Sequence, residues 1–239
     1  MDTPIYVVNY KNDERRQRMS ARLTALGFQF KFADPVETSD SRLSDPDKNI
    51  PEGNKRVWAI MLQHLDSIRD FYENTTKNHC IVCEDDIYIK KSMPNILEAI
   101  IKKSEELNFD VVLLGYLMPY KIEMNTILHS QYYKIIDTDE SIGHVYHKYP
   151  CDLWGSQMYM VSRENAKTLL EKYTVDYALT NIDTIQFNPD FTLTKDGNGA
   201  ILYPMIAIEE GEPNAYYSES DTDYHRKCCS VHYIEGEFI

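Results

Sequence analysis

Apolar residues in the first part of the chain alternate between strand-like runs and helical stripes. Ile5–Val8 is a short β-type run that fits a buried strand, and residues 14–19 begin a helix with its apolar positions on one face. Gly27 predicts the end of that helix, because glycine readily takes the left-handed conformation of a helix C-terminus. Residues 28–32 then alternate apolar and polar, as a half-buried strand does. This β-α-β order predicts an α/β fold with a mostly parallel central sheet flanked by helices.

The middle of the chain repeats this alternation. Residues 34–54 are rich in Asp, Ser, Pro and Glu and predict a surface loop. Two helices and two strands are predicted next: a helical stripe from Val57 to Tyr72, a strand at 80–83, a helix that opens at Pro94 and a strand at 111–115. The strands are continuously apolar, as in a parallel sheet with both faces covered.

Periodicity weakens in the second half of the chain. Two strands, a capped helix and a hairpin are predicted there: strands at 132–136 and 157–161, a helix after the N-cap Ser162, and a tight turn at 196–199 between strands at 191–193 and 201–203. The tail from Glu209 to Ile239 is acidic and predicts irregular structure. The chain shows no repeat and no clear linker, so we expect one domain over residues 1–239.

Charge and composition narrow the class of protein. Lys and Arg number 25 against 38 Asp and Glu, which gives a net charge of −13 and argues against nucleic acid or an anionic membrane surface as partner. No apolar run is long enough to span a bilayer, and residues 1–4 do not resemble a secretory signal, so we expect a cytoplasmic protein. The odd count of five cysteines predicts reduced thiols, with Cys80 and Cys83 as core residues rather than a zinc or redox site.

Three consecutive carboxylates, Glu84, Asp85 and Asp86, follow the apolar strand at 80–83. Strand alternation would place Glu84 and Asp86 on one face and Asp85 on the other, unless the strand ends in a turn. Like charges repel, and a divalent cation would relieve that repulsion. Ligands in α/β sheets bind beyond the carboxyl ends of the strands, so the triplet indicates either a metal site or an acidic strand end facing solvent.

Other catalytic motifs are absent from the sequence. There is no GxxxxGK[ST], GxGxxG, GxSxG or HExxH, which removes the usual support for kinase, dehydrogenase and hydrolase functions. His64 lies on an apolar helical stripe and predicts a hydrogen-bonded core histidine. His144 and His147 are predicted in a loop, and either His225 or His232 could complete a metal site.

Several segments, in order along the chain, resemble glycosyltransferase family 25, which includes lipooligosaccharide and collagen galactosyltransferases. The matches cover roughly residues 5–222: the opening at 6–10 with 14–19 against the family's "INL…(D/E)RRxRM", 26–27 and 32–34 against "LG…F.AvdG", 83–87 against "LEDD(I/V)", 154–170 against "GxxxYlvSxxxAxxLL", 175–179 against "(P)VDxxL" and 220–222 against "SDI". The chain departs from the family at Ala59, Ile60 and Gln63, where the family has Gly-Cys and Ser.

The resemblance implies a GT-A type nucleotide-sugar-binding fold with a donor half at about 1–115 and an acceptor half at about 116–239. It implies a UDP-sugar donor, Mn²⁺ (or Mg²⁺) and transfer of a hexose with inversion. The hydroxyl acceptor would be a glycan, a lipooligosaccharide or the hydroxylysine of a collagen-like chain. The metal could neutralise the charge that grows on the departing diphosphate.

The resemblance also suggests roles for individual residues. Asp86 would hold the metal with help from Glu84 and a late ligand, His225 or His232, and Asp85 would bind ribose or sugar hydroxyls. Four residues that follow the first two strands would lie near uridine and the phosphates: Asn9, Tyr10, Arg15 and Asp34. Asp176 would act as the base that takes the acceptor proton, with Asp183 in reserve.

Two other functions fit the sequence. The departures at Ala59–Gln63 leave room for a non-catalytic module that keeps the fold and binds a nucleotide-sugar or a partner. A metal-dependent phosphohydrolase is a third possibility, although the chain lacks a nucleophile motif and a convincing second acidic cluster.

Overall fold

The computed structural model describes residues 2–122, 133–150, 153–184, 186–213 and 217–239. The strands in these ranges are β1 Ile5–Val8, β2 Lys31–Phe32, β3 His79–Glu84, β4 Ile87–Ile89, β5 Val111–Leu117, β6 Ile135–Asp139, β7 His144–Lys148, β8 Trp154–Ser162, β9 Gly199–Tyr203 and β10 Ala207–Glu209. The α-helices are α1 Asp13–Ala25, α2 Ser41–Ser44, α3 Glu52–Asn74, α4 Met93–Glu106, α5 Arg163–Lys172, α6 Val175–Thr180 and α7 Glu219–His232, with 3₁₀ turns at Pro46–Lys48 and Pro189–Phe191.

Eight of the strands form one sheet, in the order β2-β1-β3-β8-β5-β9-β7-β6. The pairs β1–β2, β1–β3 and β5–β9 are parallel, and the other neighbours are antiparallel. Following these directions across the sheet, six strands run one way and only β8 and β7 run the other. This confirms the predicted mostly parallel sheet. A second, two-stranded sheet pairs β4 with β10.

Helices cover both faces of the large sheet. Alternate residues of β1 face opposite cores: Tyr6 and Val8 pack in the core that includes α3, whereas Ile5 and Val7 pack in the core that includes α1 and α4. Burying both faces requires apolar residues at every strand position, which explains the continuous apolar runs of the sequence. The α/β class with flanking helices is confirmed.

Local signals account for several helix boundaries. The side chain of Asn12 accepts a hydrogen bond from the backbone of Arg15 at the start of α1, and Gly27 takes a φ of +75° just beyond its end. Ser162 caps α5 as predicted, accepting from the Asn165 backbone. Cys80 and Cys83 are buried with free thiols, and His64 is fully buried against Tyr159, so both predicted core assignments are confirmed.

Several predicted elements are wrong. The segment 34–54 contains α2, a 3₁₀ turn and the start of α3, and Val57 is exposed. The hairpin around 196–199 does not form, because 189–191 is a 3₁₀ turn and β9 pairs parallel to β5 instead. The strand expected at 28–32 is reduced to β2. His144 and His147 lie in strand β7, and the tail contains α7, which a capping box at Ser218 and Asp221 begins. Residue 132 lies outside the described residues.

The sheet draws strands from both halves proposed for donor and acceptor. β5 spans the boundary near residue 115, and β9 of the second half pairs with it. Within the described ranges, every helix is too short or too polar to cross a membrane.

Candidate functional site

The carboxyl ends of β1 and β3 and the start of β8 lie side by side at one end of the sheet, which we call its carboxyl edge. Val8 lies beside Glu84 in the β1–β3 register, and Cys83 lies beside Met158 in the β3–β8 register. Because β8 runs antiparallel, its first residues reach the edge where β1 and β3 end. The residues just beyond these strands therefore face one another.

The acidic triplet lies at this edge, with β3 ending at Glu84. Ser156 donates its hydroxyl to Glu84 Oε1 at 2.6 Å. Asp85 and Asp86 form a bend between β3 and β4, and one guanidinium nitrogen of Arg15 reaches both. Strand alternation thus stops at Glu84. The sequence left two possibilities, alternation of Asp85 and Asp86 or a strand that ends in a turn, and the structure has the second, because β3 ends at Glu84.

Two predicted residues from the first strand and helix hold the triplet. Asn9 is buried and donates its side-chain amide to Asp85 Oδ2 and to the carbonyl of Asn12. Arg15 donates to Asp86 Oδ2 at 2.7 Å and to Asp85 Oδ1 at 3.4 Å. The structure therefore brings together Asn9, Arg15 and the triplet, although they are about 70 or more residues apart in sequence.

The β4–β10 sheet adds a fourth carboxylate and a histidine. Ile87 pairs with Glu209, and the Glu210 backbone donates to the Asp86 carbonyl at 2.8 Å. Glu209 is 6% exposed, and its Oε1 lies 2.6 Å from Nδ1 of His225 on α7. His225 is also 6% exposed. A carboxylate bound to one ring nitrogen orients a histidine so that Nε2 can serve as a ligand.

A fifth carboxylate comes from the 3₁₀ turn at Pro189–Phe191. Asp190 Oδ1 accepts backbone hydrogen bonds from Gly155 at 2.8 Å and Ser156 at 2.9 Å. Ser156 therefore contacts Asp190 through its N–H and Glu84 through its hydroxyl. We call the set Glu84, Asp85, Asp86, Asp190 and Glu209 the carboxylate cluster.

Burial raises the pKa values of four acids of the carboxylate cluster. Burial raises the pKa of Asp86 to about 7; Glu209 adds to the increase, and Arg15 opposes it. Burial, together with Asp86 and Asp190, raises the pKa of Glu84 well above its usual range. Burial also raises the pKa of Asp85 against Asn9 and Arg15, and that of Asp190 against two backbone N–H groups.

Burial and the nearby carboxylates act on the pKa of His225 in opposite directions. Burial lowers the pKa of His225, but the hydrogen bond and charge of Glu209, together with the charges of Asp86 and Asp221, outweigh burial, so its pKa is raised. Several acids that resist ionisation together indicate a site that favours added positive charge.

The donor set fits a divalent cation that is shared with a ligand. Asp86 Oδ1 is buried without a hydrogen-bond partner in the described part of the chain. Carboxylate oxygens suit Mn²⁺ and Mg²⁺. Among the described residues, no three His, Cys, Asp or Glu side chains converge on a ready-made metal site. Cations held by one or two carboxylates and phosphate oxygens do not need such a cage.

Other predicted site residues have contacts outside the carboxylate cluster. Tyr10 is exposed and donates to Glu37 at 2.5 Å, and Asp34 is exposed at the end of β2. The Asp176 carboxylate is 76% exposed and pairs with Lys48 at 2.8 Å. Asp183 is also exposed. Nε2 of His232 lies 3.0 Å from the Met118 carbonyl, whereas His225 contacts the cluster, which favours His225 as the late ligand.

Four residues of the site have no counterpart in the sequence predictions: Ser156, Gln157, Asp190 and Glu209. Gln157 is buried on β8 and directs its amide toward Glu209 Oε2 at 3.5 Å. Glu209 could have been found, because it ends a short apolar run at 206–208 just as Glu84 ends its own strand. Asp190 carries no comparable signal, since a capped turn places it there.

Comparison with known proteins gives structural similarity only. Three solved structures resemble the chain: A197 from STIV (13% identity, 92% of this chain and 97% of that chain, TM-score 0.44), a glycosyltransferase involved in the glycosylation of the major capsid of PBCV-1 (10%, 93% and 97%, 0.44) and mannose-1-phosphate geranyltransferase from Thermus thermophilus (11%, 83% and 72%, 0.42). No family model matches the chain. No curated protein matches it either. Function is therefore inferred from the geometry of the carboxylate cluster.

Proposed function

We propose that the protein is a metal-dependent glycosyltransferase that moves a hexose from a UDP-sugar to a hydroxyl acceptor with inversion. The observation that carries this proposal is the carboxylate cluster at the carboxyl edge of the sheet. Burial raises the pKa of four of its acids, Glu84, Asp85, Asp86 and Asp190, and Asp86 leaves one oxygen without a partner among the described residues. A cation that arrives with a diphosphate would satisfy both features, because it supplies charge and oxygen ligands together.

The residues of the cluster divide into two groups. Asp86 would hold Mn²⁺ or Mg²⁺ together with diphosphate oxygens, with Glu84 or Nε2 of His225 as a second protein ligand. When bound, the metal neutralises charge on the diphosphate leaving group. Asp85 and Asn9 are joined by a hydrogen bond and would orient hydroxyls of the ribose or sugar. Arg15 would exchange its contact with Asp86 for the diphosphate, since a guanidinium binds phosphate oxygens well.

The base that takes the acceptor proton is proposed separately. The resemblance to family 25 supports Asp176, and an exposed carboxylate paired with Lys48 could reach an incoming acceptor. Asp176→Asn is then expected to retain UDP-sugar binding and to lose transfer. Unchanged turnover in that variant would exclude Asp176 as the base.

A thermal-shift series tests the proposed function directly. The protein is heated with UDP, UDP-glucose, UDP-galactose or UDP-N-acetylglucosamine, each with Mn²⁺ and with EDTA. A ligand at 100 times its dissociation constant stabilises the fold by about 2.7 kcal/mol, which is readily measured. We expect a shift that needs Mn²⁺ and is largest for one UDP-sugar, and NMR of the product would then report inversion at the anomeric carbon.

Matched variants show whether the carboxylate cluster is responsible. Asp86→Asn is expected to lose the Mn²⁺-dependent shift, whereas Asp47→Asn, an exposed carboxylate in the first 3₁₀ turn, is expected to keep it. An equal shift in EDTA, or a full shift in Asp86→Asn, would contradict the proposed metal site.

A non-catalytic module is the alternative with a specific observation behind it. Gln63, which replaces the family's Ser, is buried and donates to the Asn9 carbonyl at 3.0 Å. A residue that departs from the family therefore helps to position Asn9 at the site. Such a module would show the same UDP-sugar shift but neither transfer nor donor hydrolysis. A phosphohydrolase would release free phosphate or sugar at full rate without any acceptor.

A further inference from the structure

One of the two tryptophans lies on the surface beside the carboxylate cluster. Trp154, at the start of β8, is 48% exposed, whereas Trp58 is 4% exposed. The two residues after Trp154 are Gly155 and Ser156, whose backbone N–H groups hold Asp190. Ser156 also holds Glu84. The exposed indole is therefore two residues away from the link between Asp190 and Glu84.

The turn that carries Asp190 also supports the indole. Phe191 follows Asp190, and its ring meets the Trp154 ring edge to face at 5.7 Å between centroids. Lys195 Nζ lies 3.9 Å from the centroid of the Phe191 ring, so that ring is packed on another side. The Asn188 side chain caps the turn through the Phe191 backbone at 2.9 Å. A flat exposed ring and a carboxylate are thus fixed by the same short turn.

A single exposed aromatic residue is ordinary on a protein surface. An exposed aromatic residue next to a carboxylate, as Trp154 is next to Asp190, is a stronger indication of a binding site, because such sites combine aromatic walls with a few placed polar groups. A pyranose ring has an apolar C–H face and a polar rim of hydroxyls. It matches a flat indole that packs against a turn carrying a carboxylate.

We propose that Trp154, Phe191 and Asp190 form the acceptor subsite, and that this subsite takes a pyranoside rather than a hydroxylysine side chain. The inference rests on the proposed function, because it places the acceptor beside the donor site. The pyranose stacks on Trp154 and one hydroxyl donates a hydrogen bond to Asp190. In the transfer step, the acceptor oxygen bonds to the anomeric carbon of the donor and its proton passes to Asp190, which in this proposal replaces the exposed Asp176 as the base. The bond from that carbon to the diphosphate oxygen breaks, and its electron pair leaves with the diphosphate.

Quenching of tryptophan fluorescence by acrylamide tests the binding part of the proposal. Acrylamide reaches Trp154 in the wild-type protein and not the buried Trp58, and Trp154→Phe supplies the background. The probes are methyl β-galactopyranoside, lactose and N-acetylglucosamine, and a hydroxylysine-containing Gly-X-Y peptide, each with UDP and Mn²⁺ present. We expect at least one glycoside to protect Trp154 from quenching. Protection by the peptide alone, or by no probe in protein that binds UDP, would overturn the proposal.

Substitutions then separate stacking from proton transfer. Trp154→Ala is expected to raise KM for the acceptor about tenfold, the loss of one aromatic contact, with the UDP-dependent thermal shift unchanged. Trp154→Phe keeps a ring and should fall between. Ile136→Ala, an exposed residue on the edge strand β6, serves as a control for surface truncation. Asp190→Asn is expected to lower kcat by about 10²–10⁴ while glycosides still protect Trp154.

The two proposals fail in different ways. A wild-type protein without any UDP-dependent shift would refute the proposed function. An intact UDP shift with an unchanged acceptor KM in Trp154→Ala would refute the subsite. Transfer that survives Asp190→Asn and is lost in Asp176→Asn would return the role of base to Asp176.

Discussion

Asp86→Asn is expected to stabilise the ligand-free protein, although it removes an ion-pair partner of Arg15. Asp86 is 8% exposed, and burial raises its pKa from an ordinary 3.8 to about 7 against the opposing charge of Arg15. Asparagine has nearly the same shape and carries no charge. The variant therefore mimics the protonated carboxyl that the folded protein prefers.

The size of the effect follows from linkage between protonation and folding. An acid whose pKa is higher in the folded state costs the fold no stability below its unfolded pKa. The fold loses stability as pH rises from the unfolded to the folded pKa, and the loss is complete above the folded pKa. Each pKa unit corresponds to about 1.4 kcal/mol of folding free energy. The shift of Asp86 from 3.8 to about 7 therefore destabilises the wild-type fold by about 4 kcal/mol at pH 8 and by about 2 kcal/mol at pH 5. The advantage of Asp86→Asn over wild type should therefore grow between these two pH values.

Urea unfolding at pH 5, 6, 7 and 8, in EDTA and without nucleotide, measures this advantage. The comparison between the two proteins cancels groups that both contain and that do not interact with Asp86, such as His64, whose burial lowers its pKa to about 3. Equal stabilities at pH 8, or an advantage that shrinks as pH rises, would refute the reasoning. Addition of UDP and Mn²⁺ should stabilise the wild type and not the variant, which links the destabilised ion to the proposed ligand.

Two further predictions concern packing. Gly115→Ala should destabilise the fold by about 1–3 kcal/mol, because the new Cβ would lie 2.8 Å from both Cβ and O of Ala207. Gly53→Ala, in open space on α3, should instead stabilise the fold by about 0.5–1 kcal/mol. Thermal unfolding of both variants tests the pair, and a neutral Gly115→Ala would mean that β10 can move aside. Arg163→Met should lower the free energy of unfolding by about 3 kcal/mol, because the guanidinium donates to the backbone carbonyls of Tyr72 at 2.8 Å and Lys77 at 2.7 Å near the end of α3. Arg69→Met, at an exposed residue of α3, is the control. A similar small loss of stability in both variants would contradict a stabilising role for Arg163.

Periodicity and caps predicted the elements whose signals are local. β1, α1, α3, β3, α4, β5, β8 and α5 appear close to their expected places, because each has an apolar pattern of the right period or a capping residue. The hairpin prediction failed because long-range strand pairing overrode a local signal. The Asp-Gly-Asn-Gly segment at 196–199 resembles a hairpin turn, but β9 satisfies its hydrogen bonds with the parallel strand β5 on one side and with β7 on the other.

The sequence by itself determined the acidic edge of the site. Three carboxylates follow an apolar strand, so the sequence placed them at the carboxyl end of the sheet, while the resemblance to family 25 placed Asn9 and Arg15 near the nucleotide. The structure brings Asn9 and Arg15 into contact with Asp85, because the carboxyl ends of neighbouring parallel strands are adjacent. The roles of these residues stay predictions. The tertiary structure alone decided the remaining partners. Asp190 arrives on a 3₁₀ turn, Glu209 through pairing of β4 with β10, and His225 on a helix that the acidic composition of the tail obscured. Long-range pairing brings these groups together, and burial within that arrangement sets their pKa values.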